Sequence, residues 1–259
     1  MKVVILAGGL GTRLREETEY RPKPMVEIGT KPILWHIMKM YDHYGFHDFV
    51  ICLGYKSQVI KEYFLNYKLM NSDFTVNLGR QEENLIIHNN HTERDWNVTL
   101  VETGEKAHTG ARIKKIQKYI NGTTFMVTYG DAVADVDIGK LLEFHKEHGK
   151  IGTVTGIHLH SRFGELHIDS HCVKKFNEKP STKEYVNGGF FVFNRRFFSY
   201  LNENDDCVLE NEPITQLTKD QELMVYPHDG FWQCCDTYRE LELLNTLWSN
   251  PNPPWKQWK

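Results

Sequence analysis

The sequence predicts an α/β fold: a Rossmann-like mixed, mainly parallel sheet flanked by helices, in a single domain spanning residues 1–259. Two observations carry this prediction. Short continuous apolar runs alternate with segments of helical periodicity through the first half of the chain, which is typical of βαβ units with right-handed crossovers. The second half holds more short apolar runs, so we expect a strand-richer part beyond about residue 135.

The first half begins with a buried strand at residues 3–6, because the run Val-Val-Ile-Leu is continuous rather than alternating. A helix is predicted to start near Pro32 and to stop near Gly45, since proline is tolerated in a first turn and glycine favours a helix end. Further strands are predicted at 49–53, 98–101, 124–129 and 153–159. Apolar positions at helical spacing indicate helices at about 59–67 and at 138–148.

The second half is predicted to contain short strands at 173–176 and 189–193 and a helix at 237–247. The tail at 250–259 has three prolines and two tryptophans, so it cannot be a regular helix. We expect its tryptophans to pack on the body of the protein or on a neighbouring subunit, because indole rings bury a large apolar area.

Composition excludes several classes of protein. The formal net charge is −3, so no global field would attract nucleic acid or an anionic membrane. The five cysteines include no Cys-x-x-Cys pair, which argues against a disulfide framework or a cysteine zinc site and favours a reducing cytosol. The apolar run at 3–7 is too short for a signal peptide or a membrane span. We therefore expect a cytoplasmic protein with no nucleic-acid or membrane partner.

A glycine-rich loop, Leu-Ala-Gly-Gly-Leu-Gly-Thr-Arg-Leu at 6–14, directly follows the first strand. Glycines let the backbone turn sharply and bring its N–H groups close to an anion, and ligands of open α/β sheets lie beyond such strand ends. Arg13 and Lys23 add cations suited to phosphate oxygens. The alternatives are a turn without a ligand and a dinucleotide fingerprint. The latter is disfavoured because Leu14 stands at the third glycine position.

With Arg-Pro-Lys-Pro-Met at 21–25, this loop resembles the signature of the sugar nucleotidyltransferase family. The resemblance implies a nucleotide-binding part at about 1–135 and a sugar-phosphate-binding and C-terminal part at about 136–259. It also implies that Arg13, Lys23 and Asp131 act in catalysis. The residues that it implies for the nucleotide in this part of the chain are Leu6, Ala7, Gly8, Gly9, Gly11, Thr12, Arg13, Lys23 and Gly130.

Two carboxylates are candidate metal ligands. Asp131 ends a predicted buried strand, where an oxygen ligand could hold a hard cation. Asp236 could instead cap the helix that starts near residue 237. The resemblance implies that Asp131 and Asp236 share one Mg²⁺. The Asp135-Val-Asp137 pair also has the spacing of a metal motif, but acidic residues before a helix favour its N-terminus, and we interpret the pair in that way.

The resemblance extends to family members that use CTP and glucose 1-phosphate, through Trp-Asn-Val-Thr-Leu at 96–100 and Pro-Trp-Lys-Gln-Trp at 254–258. It implies CTP and a sugar 1-phosphate, foremost α-D-glucose 1-phosphate, as substrates, and a homo-oligomer that serves nucleotide-sugar and O-antigen synthesis. A turn with Thr109, Gly110 and Arg112 would contact the base. The residues implied for the sugar phosphate are Glu178, Lys179, Asn187 and Gly188.

Several positions depart from the family pattern. Alanine stands at 107, 111 and 132, where small polar residues or glycines are usual, and Glu165 adds a carboxylate near the predicted sugar side. These departures leave open another sugar phosphate or nucleotide, or a non-catalytic protein that binds nucleotide or sugar. A dinucleotide-dependent oxidoreductase is the remaining alternative enzyme. His88 and His91 could form a metal pair, but without a third ligand a solvated loop is the favoured interpretation.

Overall fold

A computed structural model of the chain describes residues 1–79, 85–88, 93, 95–159, 164–178 and 184–258. The strands are β1 (Lys2–Leu6), β2 (Glu27–Ile28), β3 (Lys31–Pro32), β4 (Asp48–Leu53), β5 (Phe74–Val76), β6 (Leu85–Ile87), β7 (Asn97–Glu102), β8 (Thr124–Tyr129), β9 (Ala132–Ala134), β10 (Gly152–Ile157), β11 (Glu165–Asp169), β12 (Cys172–Asn177), β13 (Val186–Asn194), β14 (Leu223–His228) and β15 (Trp232–Cys234). The α-helices are α1 (Arg15–Thr18), α2 (Ile33–His43), α3 (Ser57–Leu65), α4 (Tyr67–Met70), α5 (Thr109–Lys115), α6 (Ile138–His148), α7 (Glu212–Lys219) and α8 (Tyr238–Trp248).

The central sheet is mixed and mainly parallel, as the sequence predicts. Its seven strands lie in the order β14-β10-β13-β8-β1-β4-β7. Strand β13 runs antiparallel to both of its neighbours, whereas the remaining pairs are parallel. Because β8, β1 and β4 are parallel neighbours, their carboxyl ends meet at one edge, and the loops that follow them surround the same crevice.

Two apolar layers cover the sheet. One contains buried side chains of α2, α6 and α8, such as Ile37, Leu141 and Leu244. The other contains side chains of α5 and α7, such as Ile113 and Leu217. Strands such as β1 and β4 are buried on both faces, which explains why their sequences are continuous apolar runs.

Most predicted elements are confirmed, and the differences are local. The helix predicted at 138–148 has those bounds, and Asp137 caps it by accepting the Lys140 N–H at 2.9 Å. The predicted helix at 59–67 is divided, since α3 ends at Leu65 and α4 follows it. The strand predicted at 153–159 ends at Ile157. Among the residues that the structure describes, no helix is long and apolar enough to cross a bilayer.

The C-terminal tail packs on the body of its own chain. Trp255 is fully buried and its Nε1 donates to His36 Nδ1 at 3.4 Å. Trp258 lies edge-on to Trp35, with ring centroids 5.8 Å apart. Of the two sequence-based expectations for the tail, packing on the body is confirmed, and a contact with a neighbouring subunit stays a prediction.

Candidate active site

The glycine loop leaves the carboxyl end of β1, and two of its glycines are required by their surroundings. A Cβ on Gly8 would lie 2.1 Å from Arg112 Nη1, so the hydrogen-bonded guanidinium group would have to move. Gly11 has a φ of +64°, a left-handed conformation that glycine adopts without the steric cost of a Cβ. The chain then enters a 3-10 helix at Thr12–Leu14. This backbone can therefore approach an anion closely.

Lys23 joins the two predicted metal ligands. Its side chain is buried, and its Nζ donates to Asp131 Oδ2 at 2.7 Å and also to Asp236 Oδ1. Burial alone would lower the pKa of Lys23, but the two carboxylates more than offset that effect and hold the pKa above its usual value. The ammonium group is therefore charged at neutral pH.

A short ladder between distant segments brings the two aspartates together. Strands β9 and β15 are antiparallel, with Ala132 opposite Cys234, and the Cys235 N–H donates to the Asp131 carbonyl at 2.8 Å. Arg13 adds another cation, because its Nη1 lies 2.9 Å from Asp236 Oδ2 while its side chain remains 73% exposed. An exposed guanidinium beside a carboxylate is free to turn toward a phosphate.

The donor set fits a hard divalent cation. Mg²⁺ and similar ions prefer carboxylate oxygens, and here oxygens of Asp131 and Asp236 converge on one ammonium group, which stands in for a cation at that point. The interpretation of Asp236 as a helix cap is wrong, because Thr237 caps α8 in a capping box with Glu240.

The other candidate metal groups have different partners. Asp135 lies 3.1 Å from His228 Nε2. Cys234, Asp236 and Glu240 place ligand atoms within 4.8 Å of one another, but the Glu240 carboxylate accepts the N–H groups of Asp236 and Thr237 and so belongs to the helix start. His91 lies outside the described residues.

The predicted base-reading turn is a helix, which corrects the sequence-based expectation. Thr109 begins α5, and Gly110 and Arg112 lie within it. Alanine at 111 is compatible with this helix, because alanine has a higher helix propensity than glycine. Gly110 faces the segment before α7, since a Cβ there would lie 2.7 Å from Cys207 Sγ.

Arg112 is buried beneath the glycine loop, and protein oxygens surround its guanidinium group. Its Nη1 donates to Leu53 O, Thr103 Oγ1 and Gly104 O at 2.9, 2.7 and 2.9 Å, and its Nη2 donates to Gly8 O and Glu105 O at 2.9 and 3.3 Å. The guanidinium thus ties together three loops of the nucleotide side. A direct contact between Arg112 and the base stays a prediction.

The alanine departures carry no backbone strain. Ala111 is buried in α5 and Ala132 in β9, and neither has a left-handed φ, so glycine is not needed at these positions. Ala107 is buried and lines the cleft described below. Glu165 begins the exposed strand β11. The structure therefore removes the conformational argument for a non-catalytic protein.

Two of the predicted sugar-side residues, Asn187 and Gly188, lie close to Tyr129 and Trp232. Asn187 Nδ2 donates to the Tyr129 hydroxyl at 3.2 Å, and Gly188 O accepts the Trp232 Nε1–H at 2.8 Å. Glu178 follows β12 and faces Gly164, where a Cβ would lie 3.1 Å from Glu178 Oε2. Lys179 lies outside the described residues.

The nucleotide-side and metal-side predictions converge on one cleft of about 310 Å³. The predicted residues that line it are Leu6, Ala7, Gly8, Gly9, Gly11, Thr12, Arg13, Lys23, Thr109, Arg112, Gly130, Asp131 and Asp236. The predicted residues outside its lining are Gly110, Glu178, Asn187 and Gly188. Asn187 instead lines an adjoining cavity of about 330 Å³.

Sequence reasoning missed Tyr129, His108 and Glu210. Tyr129 and His108 line the cleft, and Glu210 accepts hydrogen bonds from both Thr109 and Tyr129. Tyr129 could have been found, because it ends the strand that leads to Gly130 and Asp131. Glu210 has no local signal, since it lies in an irregular segment before α7.

Comparison with known proteins finds relatives over the full length of the chain. A family model described as nucleotidyl transferase matches residues 2–237. The chain is 50% identical over 261 residues to a glucose-1-phosphate cytidylyltransferase of Salmonella typhi, with 100% of each chain covered. It is 42% identical over 258 residues to a probable glucose-1-phosphate cytidylyltransferase of Bacillus subtilis, again with 100% of each covered.

Solved structures share the fold. HddC from Yersinia pseudotuberculosis superposes with a TM-score of 0.69 at 23% identity, covering 96% of this chain and 99% of that one. With a sheet of the expected topology, a glycine loop at its carboxyl edge and a family match over most of its length, this chain belongs to the nucleotidyl transferase family.

Proposed function

We propose that the protein transfers CMP from CTP to α-D-glucose 1-phosphate, giving CDP-glucose and pyrophosphate. The observation that carries this proposal is the convergence of Lys23, Arg13, Asp131 and Asp236 at the glycine loop in one cleft. Two cations and two carboxylates at a strand edge suit a reaction in which negative charge moves between phosphates. The full-length identity to cytidylyltransferases supports CTP and glucose 1-phosphate as the substrates.

The chemistry follows from positioning. A phosphate oxygen of the sugar 1-phosphate attacks the α-phosphorus of CTP, a new P–O bond forms, and the bond to the bridging oxygen breaks as pyrophosphate leaves. No covalent enzyme intermediate is needed, so alignment and charge stabilisation account for the rate. A divalent cation such as Mg²⁺, held by Asp131 and Asp236, would neutralise charge on the α-phosphate.

The protein's own cations have separate tasks. Lys23 is buried at the carboxylates and would contact phosphate oxygens at the reacting centre. Arg13 is exposed and would bind the outer phosphates, whose charge grows as pyrophosphate departs. On the sugar side, Glu178, Asn187 and Gly188 would contact the hydroxyl groups and Lys179 the sugar phosphate.

The test is pyrophosphate release with Mg²⁺, crossing CTP, ATP, GTP, UTP and dTTP with a panel of sugar 1-phosphates. We expect selective release with CTP and glucose 1-phosphate. Release with CTP and another sugar phosphate would retain the reaction class and refute the proposed sugar. Tight CTP binding without turnover on any sugar phosphate would refute the enzyme assignment.

We also propose a cytoplasmic homo-oligomer. The hairpin of β11 and β12 exposes Leu166, Ile168, Val173 and Phe176, each at least half exposed, and such apolar surface favours contact with a second copy. Light scattering coupled to size-exclusion chromatography measures the mass directly. A single species at the 30.4 kDa of one chain would refute this part of the proposal.

A further inference from the structure

Glu210 lies between the predicted nucleotide side and the predicted sugar side. It is in the segment between β13 and α7, and its Oε2 accepts the Thr109 hydroxyl at 2.8 Å. Its Oε1 accepts the Tyr129 hydroxyl. Thr109 Oγ1 in turn accepts the Leu209 N–H at 2.9 Å, so the start of α5 is fixed to the segment that carries Glu210.

The hydrogen bonds continue to the sugar side. The Tyr129 hydroxyl accepts a hydrogen bond from Asn187 Nδ2 at 3.2 Å, and Asn187 Oδ1 accepts the Gly189 N–H at 2.8 Å. The Tyr129 phenol donates its proton to the Glu210 carboxylate, while its oxygen accepts from Asn187. Thr109, Glu210, Tyr129 and Asn187 therefore form one continuous chain of hydrogen bonds.

This chain runs along the boundary between the two cavities. Thr109 and Tyr129 line the cleft of the glycine loop, whereas Asn187 and Glu210 line the adjoining cavity. Glu210 is the one charged side chain among the described residues that line that second cavity. A carboxylate accepts from two donors at once through its two oxygens, which is what this position requires.

We propose that Glu210 is a positioning residue that couples the nucleotide and sugar subsites, which rests on the function proposed above. A nucleotide that contacts Thr109 fixes the conformation of one end of this chain of hydrogen bonds. Glu210 then restricts the conformations of Tyr129 and, through it, of Asn187. Each substrate then binds more tightly when the other is present, and by linkage the two effects are equal. The occupant on the sugar side is a polyhydroxylated ring bearing a phosphate.

The experiment measures binding rather than turnover. Isothermal titration calorimetry gives the dissociation constants of glucose 1-phosphate and of α,β-methylene-CTP, each alone and each with the other saturating, in the presence of Mg²⁺. We expect each ligand to strengthen the other by about tenfold in the wild type, within the usual range of coupling between sites. In Glu210→Gln we expect that factor to fall to within twofold of one, with each ligand alone binding within about threefold of wild type.

The substitution is nearly isosteric, but a glutamine side chain has only one accepting oxygen. It can accept from one hydroxyl and must donate to the other, which reverses the direction of one hydrogen bond in the chain. Glu212→Gln is the matched control, since Glu212 is an exposed glutamate two positions away that lines neither cavity. Tyr129→Phe removes the sugar-side half of the chain, so we expect it to lower coupling equally and to add nothing to Glu210→Gln.

Each alternative outcome is decisive. A folded Glu210→Gln protein with wild-type coupling would overturn the proposal. So would a change in one dissociation constant with coupling intact, which would make Glu210 a contact of a single subsite. If neither ligand binds the wild type, the proposed function is refuted. If the wild type binds both ligands without coupling, the proposed role of Glu210 is refuted and the proposed function is retained.

Discussion

Lys23→Met tests the charge arrangement of the site, because it removes the ammonium group and keeps an unbranched apolar stem. In the structure the Lys23 Nζ lies 2.7 Å from Asp131 Oδ2 and also contacts Asp236, with 11% of the side chain exposed. Two unit charges about 4 Å apart interact by roughly 4 kcal/mol at an effective dielectric constant of about 20. If the same charge stabilises the transition state, kcat should fall by about 1000-fold.

The same substitution should have the opposite effect on metal binding without nucleotide. In the proposed mechanism, Lys23 and a divalent cation would compete for the same oxygens of Asp131 and Asp236. Removing the ammonium should therefore tighten Mn²⁺ binding by about tenfold or more, equivalent to about 1.4 kcal/mol. Electron paramagnetic resonance of free Mn²⁺ measures this affinity, and pyrophosphate release measures kcat.

The matched control is Lys140→Met, which removes a lysine 3.4 Å from Asp137 with a side chain 71% exposed. An exposed pair contributes little, so both readouts should remain at the wild-type level. The reasoning is refuted if folded Lys23→Met protein keeps kcat within threefold of wild type. Unchanged Mn²⁺ affinity would refute the competition, and a weaker affinity would show that Lys23 supports the metal site.

The remaining predictions concern the supports of the site. Arg112→Met removes the buried guanidinium group and the hydrogen bonds by which it holds three loops together, so the free energy of unfolding should fall by about 3 kcal/mol in urea titrations, and a loss below about 1 kcal/mol would contradict this. Gly8→Ala should lower Tm and abolish turnover, because its Cβ meets Arg112. Gly9→Ala, with no atom within 4 Å of its Cβ, should keep the wild-type Tm. Equal Tm values for the two variants would refute the packing argument. Burial lowers the pKa of His36 to about 4. His36 therefore binds a proton below about pH 6.5 in the unfolded state but only near pH 4 in the folded state. The free energy of unfolding should decrease by up to roughly 3 kcal/mol as pH falls through this window. Urea midpoints across pH should show a shallower slope for His36→Gln, and identical slopes would exclude this histidine as a cause.

The sequence by itself determined the elements whose signals are local. The buried strand at β1, the glycine loop after it and the helix from Ile138 to His148 each follow from periodicity, turn chemistry or capping within a few residues. The long signature around Arg13 and Lys23 also indicated the family, which the full-length comparisons confirm. Local patterns suffice here because each depends on neighbours that are close in the chain.

Only the tertiary structure decided which distant side chains meet. The pairing of β9 with β15 places Asp236 beside Asp131, and Lys23 reaches both. Arg112, predicted as a base contact, ties loops together through backbone carbonyls, and Glu210 carried no sequence signal at all. Such contacts depend on how strand ends and loops converge in space, and backbone carbonyl acceptors leave no trace in residue identity, because every residue has one.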